Sequence, residues 1–126
     1  MELIGNQTRN DCGLAAITNL LRFSYHIDAD YWEVRYLFNS LNMRDCGVKR
    51  GTRSSELVKV LESLGICCKY TQYSRARKQG TISIPKNGIL LLSQWNTSIR
   101  HWIAVSNSTL SESLKDRTVK AIIEVV

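Results

Sequence analysis

The sequence has few residues of the kinds that mark specialised protein classes. It contains only two histidines, and neither stands at metal-ligand spacing from any of the four cysteines, which argues against a zinc site. No apolar run approaches the roughly 18 residues that a membrane span needs, and the first residues lack the charged segment and apolar core of a secretion signal. No repeat or low-complexity linker appears. We therefore expect no membrane span and a cytoplasmic location.

The cysteines form no Cys-x-x-Cys pair, and the chain is too large to need disulfide staples. Free thiols are typical of a reducing compartment, which agrees with the cytoplasm. With 126 residues, 44% of them apolar and 22% charged, the composition is that of an ordinary globular protein that buries roughly two thirds of its unfolded surface. We expect one domain over residues 1–126.

A net charge of +6 shows that basic residues exceed acidic ones. Most of the excess comes from Lys49, Arg50, Arg53, Arg75, Arg77, Lys78 and Lys86. No aromatic residue is interleaved among them and no nucleic-acid-binding motif is present, so a solvated basic surface is favoured and no nucleic-acid partner is expected. A protein partner with acidic patches would suit this surface.

Residues 7–23 predict a polar loop followed by a buried helix. Leu14, Ile17 and Leu21 recur at helical spacing, and Asn10 or Asp11 can cap the helix start. Cys12 then lies where free backbone N–H groups and the positive end of the helix dipole stabilise a thiolate, the nucleophilic form of cysteine. The following Gly13 leaves room for a substrate carbonyl beside the sulfur. Cys12 is therefore a candidate nucleophile, although buried structural cysteines are common at helix starts.

A second Asp-Cys-Gly motif places Cys46 in competition with Cys12. It is followed by Val-Lys-Arg-Gly instead of an apolar helix, so no helix dipole supports it. Neighbouring basic side chains would still favour its thiolate. We rank Cys12 above Cys46.

Helical spacing in the first half gives way to strand spacing in the second. Further helices are predicted from residue 30 to about 42 and from 54 to 64, with Gly65 as the stop of the latter. Strands are predicted at 66–73, 81–84, 88–94, 101–106 and 118–126, with a basic loop at 74–80. A helical part at 1–65 and a sheet part at 66–126 indicate an α+β domain, with the helices packed on a mostly antiparallel sheet.

The chain has only two histidines, His26 and His101, as candidates for the catalytic base. His26 stands 14 residues after Cys12 at the far end of the same helix, about 20 Å away. His101 opens a predicted strand whose end can face a helix N-terminus. A cysteine on the first helix and a histidine on a later strand follow the order of papain-like enzymes.

Five short motifs together resemble the C39 peptidases, the papain-like domains that process double-glycine leader peptides at bacteriocin exporters. The central one is Asp-Cys-Gly-Leu-Ala-Ala at 11–16, and a Trp-Asn turn before His-Trp supports it independently. The motifs are residues 7–16, 51–54, 64–66, 94–96 and 101–105. Almost the whole chain is covered.

The resemblance implies a papain-like cysteine peptidase that needs no metal or cofactor. In this scheme Cys12 attacks a carbonyl as a thiolate and His101 takes and returns the proton. Gln7, five residues before Cys12, joins the Cys12 backbone N–H in holding the oxyanion. Trp95 and Trp102 serve either the core or the wall of the substrate site.

A third residue should orient His101, and the resemblance implies an aspartate at about the position of Asp116, fifteen residues later. Asp116 stands in Leu-Lys-Asp-Arg without a following proline. Asn107 and Glu112 are the alternatives, and papain-like sites use asparagine in this role.

Three functions remain open at the level of sequence. The first is a peptidase that cuts a peptide or protein substrate after small residues, such as a double-glycine leader. The second is a bacterial toxin or effector domain, a protease or deamidase, that acts on a target-cell protein and is held by an immunity or inhibitor protein. The third is a peptide-binding module with a degenerate site. No exporter domain lies within the 126 residues, so we expect a stand-alone protein.

Overall fold

A computed structural model describes residues 2–8, 10–46, 51–94 and 100–126 of the protein. Three helices come first, and five strands follow. The helices are α1 (Cys12–Ser24), α2 (Tyr31–Asn42) and α3 (Ser54–Ser63). The strands are β1 (Cys68–Lys78), β2 (Gly88–Gln94), β3 (Arg100–Ser106), β4 (Thr109–Leu110) and β5 (Arg117–Val125).

Helix α1 is the buried helix that the apolar spacing predicts. Every residue from Gly13 to Leu21 is buried, and the helix packs on β3 and against both other helices. Helix α3 ends just before the predicted stop, Gly65, which has a left-handed φ of +78° that glycine adopts without strain. Within the described parts of the chain, every helix is too short or too polar to cross a membrane.

The five strands form one antiparallel sheet in the order β1-β5-β2-β3-β4. Strand β2 is apolar on both faces because an apolar cluster covers each face of the sheet. Ile89 and Leu91 pack on the helix side, whereas Leu90 and Leu92 join a second core with Ile103. The predicted α+β class, with helices on one face of an antiparallel sheet, is confirmed.

Three details of the predicted sheet were wrong. The basic segment at 74–80 is mostly strand, because β1 runs on to Lys78 past a bulge between Gln72 and Arg77. Charged side chains are tolerated there because β1 is an edge strand with access to solvent. Residues 81–84 form no strand, although Ile82 packs on the second core. The short edge strand β4 was not predicted.

Strands β3 and β4 are joined by a two-residue turn of the kind that favours hairpins. Asn107 and Ser108 both have left-handed backbones, with φ of 50° and 66°. Two consecutive residues of this conformation match the right-handed twist of the flanking strands. The hairpin pairs Val105 with Leu110 and brings the residues after β4 back alongside β3.

Candidate active site

Cys12 is the first residue of α1 and is half-buried with a free thiol. The carbonyl of Asp11 accepts the backbone N–H groups of Leu14 and Ala15 at 3.0 and 3.1 Å, so the helix begins where the sequence predicts. The sulfur therefore lies at the positive end of the α1 dipole.

The carboxylate of Asp11 holds the preceding loop instead of capping the helix. Asp11 is fully buried, and its Oδ2 accepts the backbone N–H groups of Gln7 at 3.0 Å and Thr8 at 2.9 Å, as well as the hydroxyl of Tyr31. Asp11 is thus the N-cap residue, as expected, but its side chain makes no capping hydrogen bond. Burial and the hydrogen bond to Asp11 raise the pKa of Tyr31 to about 12, so Tyr31 remains a donor. Through α2, this contact fixes the chain that leads into Cys12.

His101 lies near the start of β3, where its ring contacts two functional side chains. The pKa of His101 is raised to about 8, first by a hydrogen bond with the Cys12 thiol and then, against partial burial, by Glu112. Nε2 of His101 lies 2.5 Å from Oε2 of Glu112. The structure thus brings the Cys12 thiol, the His101 ring and the Glu112 carboxylate together, with a hydrogen bond between His101 and Glu112.

Glu112 reaches His101 because the β3–β4 hairpin folds it back. The backbone N–H of Ser111 donates to the carbonyl of Ala104 at 2.9 Å, and the Ser111 hydroxyl accepts the N–H of Ala104 at 3.0 Å. The other carboxylate oxygen, Oε1, lies 3.5 Å from Nη1 of Arg117 at the start of β5. Glu112 is thus held between the histidine ring and a guanidinium.

The carboxylate at His101 belongs to Glu112, one of the alternatives left open by the sequence, and not to Asp116. Leu114 is buried, and the N–H of Arg117 closes a turn on its carbonyl at 3.0 Å. This turn leaves Asp116 exposed with a left-handed φ of 59°. Asn107 lies in the hairpin turn, where its Nδ2 donates to the carbonyl of Phe23 at 3.2 Å. A two-residue hairpin turn predicted at 107–108 would have brought the residues after it back beside β3, and would therefore have favoured Glu112 as the partner of His101.

Gln7 is exposed in the loop that Asp11 holds, and its Nε2 donates to the carbonyl of Gly5 at 3.0 Å. Its role at an oxyanion stays a prediction.

Gly13 was expected to leave free space for a substrate beside the sulfur, but other residues of the protein fill that space. A Cβ at Gly13 would lie 2.0 Å from Oγ1 of Thr52 and 3.1 Å from Cδ2 of Leu57. Gly13 allows α1 to approach the start of α3.

Cys46, the competing cysteine, is fully buried. Burial raises the pKa of its thiol to about 11, in spite of Arg44 and Arg35, which act in the opposite direction. The expectation that basic neighbours activate this thiol is therefore wrong, since desolvation outweighs their charge.

Two open clefts lie on either side of the Cys12–His101 pair. One has a volume of about 440 Å³ and is lined by Cys12, Tyr70 and Trp102 among others. Trp102 is 95% buried and donates its indole N–H to the carbonyl of Thr52 at 3.2 Å, so it serves both the core and the cleft floor. The other cleft, about 380 Å³, contains His101, Glu112 and the N-terminal segment 3–6. Trp95 and Asn96, as well as Lys49 and Arg50, lie outside the described residues.

The sequence pattern of the Peptidase C39 family matches residues 1–114 of the chain. The chain belongs to the Peptidase C39 family. The match covers most of the chain and includes Cys12, His101 and Glu112, whereas Asp116 lies beyond it. Membership in this family indicates a cysteine peptidase and a peptide or protein substrate. A comparison with curated proteins finds no match.

In the described residues of this C39 family member, no group of three or more His, Cys, Asp or Glu side chains lies close enough to hold a metal ion. The side chains of Cys12, His101 and Glu112 supply a thiol, an imidazole and a carboxylate, which together can perform nucleophilic and acid–base chemistry.

Proposed function

We propose that the protein hydrolyses peptide bonds by a Cys12–His101–Glu112 mechanism. The observation that carries the proposal is the ring of His101, which lies beside the Cys12 thiol and is hydrogen-bonded to the Glu112 carboxylate. A nucleophile, a base and a group that orients the base are the three components of a catalytic triad.

The first step is transfer of the thiol proton from Cys12 to His101. The raised pKa of His101, about 8, favours the imidazolium at neutral pH, and the Cys12 sulfur lies at the positive end of the α1 dipole. The thiolate then attacks the carbonyl carbon of the substrate, and the electron pair of the C=O bond moves to oxygen. The backbone N–H of Cys12 and, after rotation away from Gly5, the amide of Gln7 would stabilise this oxyanion.

Collapse of the tetrahedral intermediate breaks the C–N bond and leaves a thioester on Cys12. His101 donates its proton to the departing amine as this bond breaks. A water molecule then attacks the thioester while His101 takes its proton, and the acid product leaves with regeneration of the thiol. Glu112 stabilises the imidazolium and fixes the ring orientation throughout, without itself taking a proton.

We further propose that the substrate is cut after small residues, as in a double-glycine leader, and that the protein acts in the cytoplasm. Family membership supports the first statement, and four cysteines without a disulfide support the second. A toxin or deamidase would use the same thiol chemistry on another target.

The test is cleavage of a peptide mixture from a denatured proteome, with the new termini identified by mass spectrometry. We expect cleavage by the wild type and loss of cleavage in Cys12→Ala and His101→Gln. Cys67→Ala is the matched control, because Cys67 is an exposed free cysteine outside the site. The proposal fails if Cys12→Ala cleaves as fast as the control variant. Release of ammonia without new termini would identify a deamidase instead.

A further inference from the structure

The cleft on the Cys12 side of the site carries an unusual charge distribution. Two arginines, Arg53 and Arg100, line this cleft. No acidic residue is found among the described residues of its lining. The other described residues that line it are uncharged and include Tyr70, Gln72 and Leu91. A substrate segment seated in this cleft would meet positive charge only.

Neither guanidinium is neutralised within the described parts of the protein. Arg100 donates from Nη1 to the hydroxyl of Ser93 at 2.8 Å, a neutral acceptor. Four ion pairs are found among the described residues, and neither Arg53 nor Arg100 takes part in them. Their cations are Arg35, Arg44, His101 and Arg117. Both Arg53 and Arg100 are exposed, so their charges are accessible to a ligand. Arginine is the side chain best suited to bind a carboxylate through two parallel hydrogen bonds.

The cleft on the His101 side differs in charge. It contains Glu112, and its lining includes the apolar residues Leu3 and Ile4. An acidic side chain on that side would meet the like charge of Glu112, whereas on the Cys12 side it would meet two cations. The two clefts therefore differ in the charge that they would present to a substrate.

We infer that Arg53 and Arg100 determine specificity for a substrate that carries an acidic side chain close to the cleaved bond, seated on the Cys12 side. The inference rests on the proposed peptidase function and adds the chemical class of the substrate. A volume of about 440 Å³ is in the range of ordinary ligand sites, so the cleft has space for side chains next to the scissile bond.

The first experiment does not depend on finding the substrate. Iodoacetate and iodoacetamide both alkylate a thiolate with loss of iodide, but only iodoacetate carries a negative charge. The ratio of their rates at Cys12, resolved by mass spectrometry of the modified peptide, measures attraction of an anion to this cleft. Cys67 provides an internal reference in the same molecule, because it is exposed and outside the cleft.

We expect the iodoacetate-to-iodoacetamide ratio at Cys12 to fall about two- to threefold in the Arg53→Gln/Arg100→Gln double variant at ~0.01 M salt, where charges act over about 30 Å. The difference should shrink at 0.15 M salt, where the Debye length is about 8 Å. The matched control is Arg75→Gln/Lys86→Gln, which removes the same charge from exposed positions outside the cleft lining. An equal fall in the control, or no fall in the double variant, would overturn the inference.

The second experiment uses the peptide mixture described above. We expect Asp or Glu to be enriched on one side of the cleavage sites of the wild type and of the control variant, and the enrichment to disappear in the Arg53→Gln/Arg100→Gln variant. Cleavage with no acidic preference would contradict the inference while leaving the peptidase proposal intact. Conversely, a charge-dependent alkylation ratio without any cleavage would contradict the peptidase proposal alone.

Discussion

Replacement of Glu112 by glutamine is the sharpest perturbation of the proposed triad. It removes the negative charge 2.5 Å from Nε2 of His101 and keeps the size of the side chain. Because Glu112 helps to raise the pKa of His101 to about 8, its loss should move this pKa down towards the ordinary value of about 6.5. The shift should be partial, since the hydrogen bond with Cys12 is the larger cause and remains.

The magnitude follows from the fraction of imidazolium. At pH 7.5 a group with the pKa of His101, about 8, is roughly three quarters protonated, whereas one with a pKa of about 6.5 is roughly one tenth protonated. Charge alone therefore accounts for at most about an eightfold loss of the His101 imidazolium. Loss of ring orientation adds to this, so we expect kcat/KM to fall by about ten- to a hundredfold.

Two assays check this prediction. The alkaline limb of the pH–rate profile reports deprotonation of His101 in the wild type and should move to lower pH in Glu112→Gln. NMR titration of the His101 ring, with His26→Gln used to distinguish the two histidines, measures the same pKa directly. Glu62→Gln is the control, since Glu62 is an exposed acid on α3. An unchanged alkaline limb together with unchanged kcat/KM would refute the role of Glu112.

Three further predictions concern the supports of the site. Gly13→Ala should destabilise the protein by about 1 to 3 kcal/mol in urea unfolding, because the new Cβ would lie 2.0 Å from Oγ1 of Thr52, and Thr52→Ala should recover part of the loss. Tyr31→Phe removes a donor from the buried carboxylate of Asp11 and should cost about 1 to 3 kcal/mol in the same measurement, whereas an unaltered urea midpoint would contradict that role. Arg117→Gln leaves the orienting glutamate without its cation, so the alkaline limb should move to higher pH, opposite to the effect of removing the glutamate itself.

The parts of the site that depend on local spacing could be predicted from the sequence. The start of α1 at Cys12 and the strand that carries His101 follow from the period of apolar residues, which the chain encodes over short distances. The partner of His101 could not be read in this way. Its identity depends on where the chain turns, and the left-handed pair at 107–108 selects Glu112 over Asp116.

Long-range contacts explain the remaining differences. Asp11 stands where a helix cap is expected, yet Tyr31 from α2 and the folded-back loop take up its carboxylate. The pKa of the Cys46 thiol depends on how deeply the folded chain buries it, and the basic neighbours of Cys46 in the sequence do not indicate this burial. In both cases packing by distant residues overrides a local pattern.

The edges of the sheet have a consequence for how a substrate can bind. Edge strands tend to recruit a further strand, either from another copy of the protein or from an extended peptide. Here the last strand at one edge, β4, is only two residues long and pairs only with Val105 and Ser106 of β3, and the other edge strand, β1, is bulged and carries Arg75, Arg77 and Lys78 near its end. Short length, a bulge and like charges all discourage strand addition. We therefore expect substrates to be recognised by their side chains in the clefts beside Cys12, without extension of the sheet, and the folded protein to resist edge-to-edge aggregation.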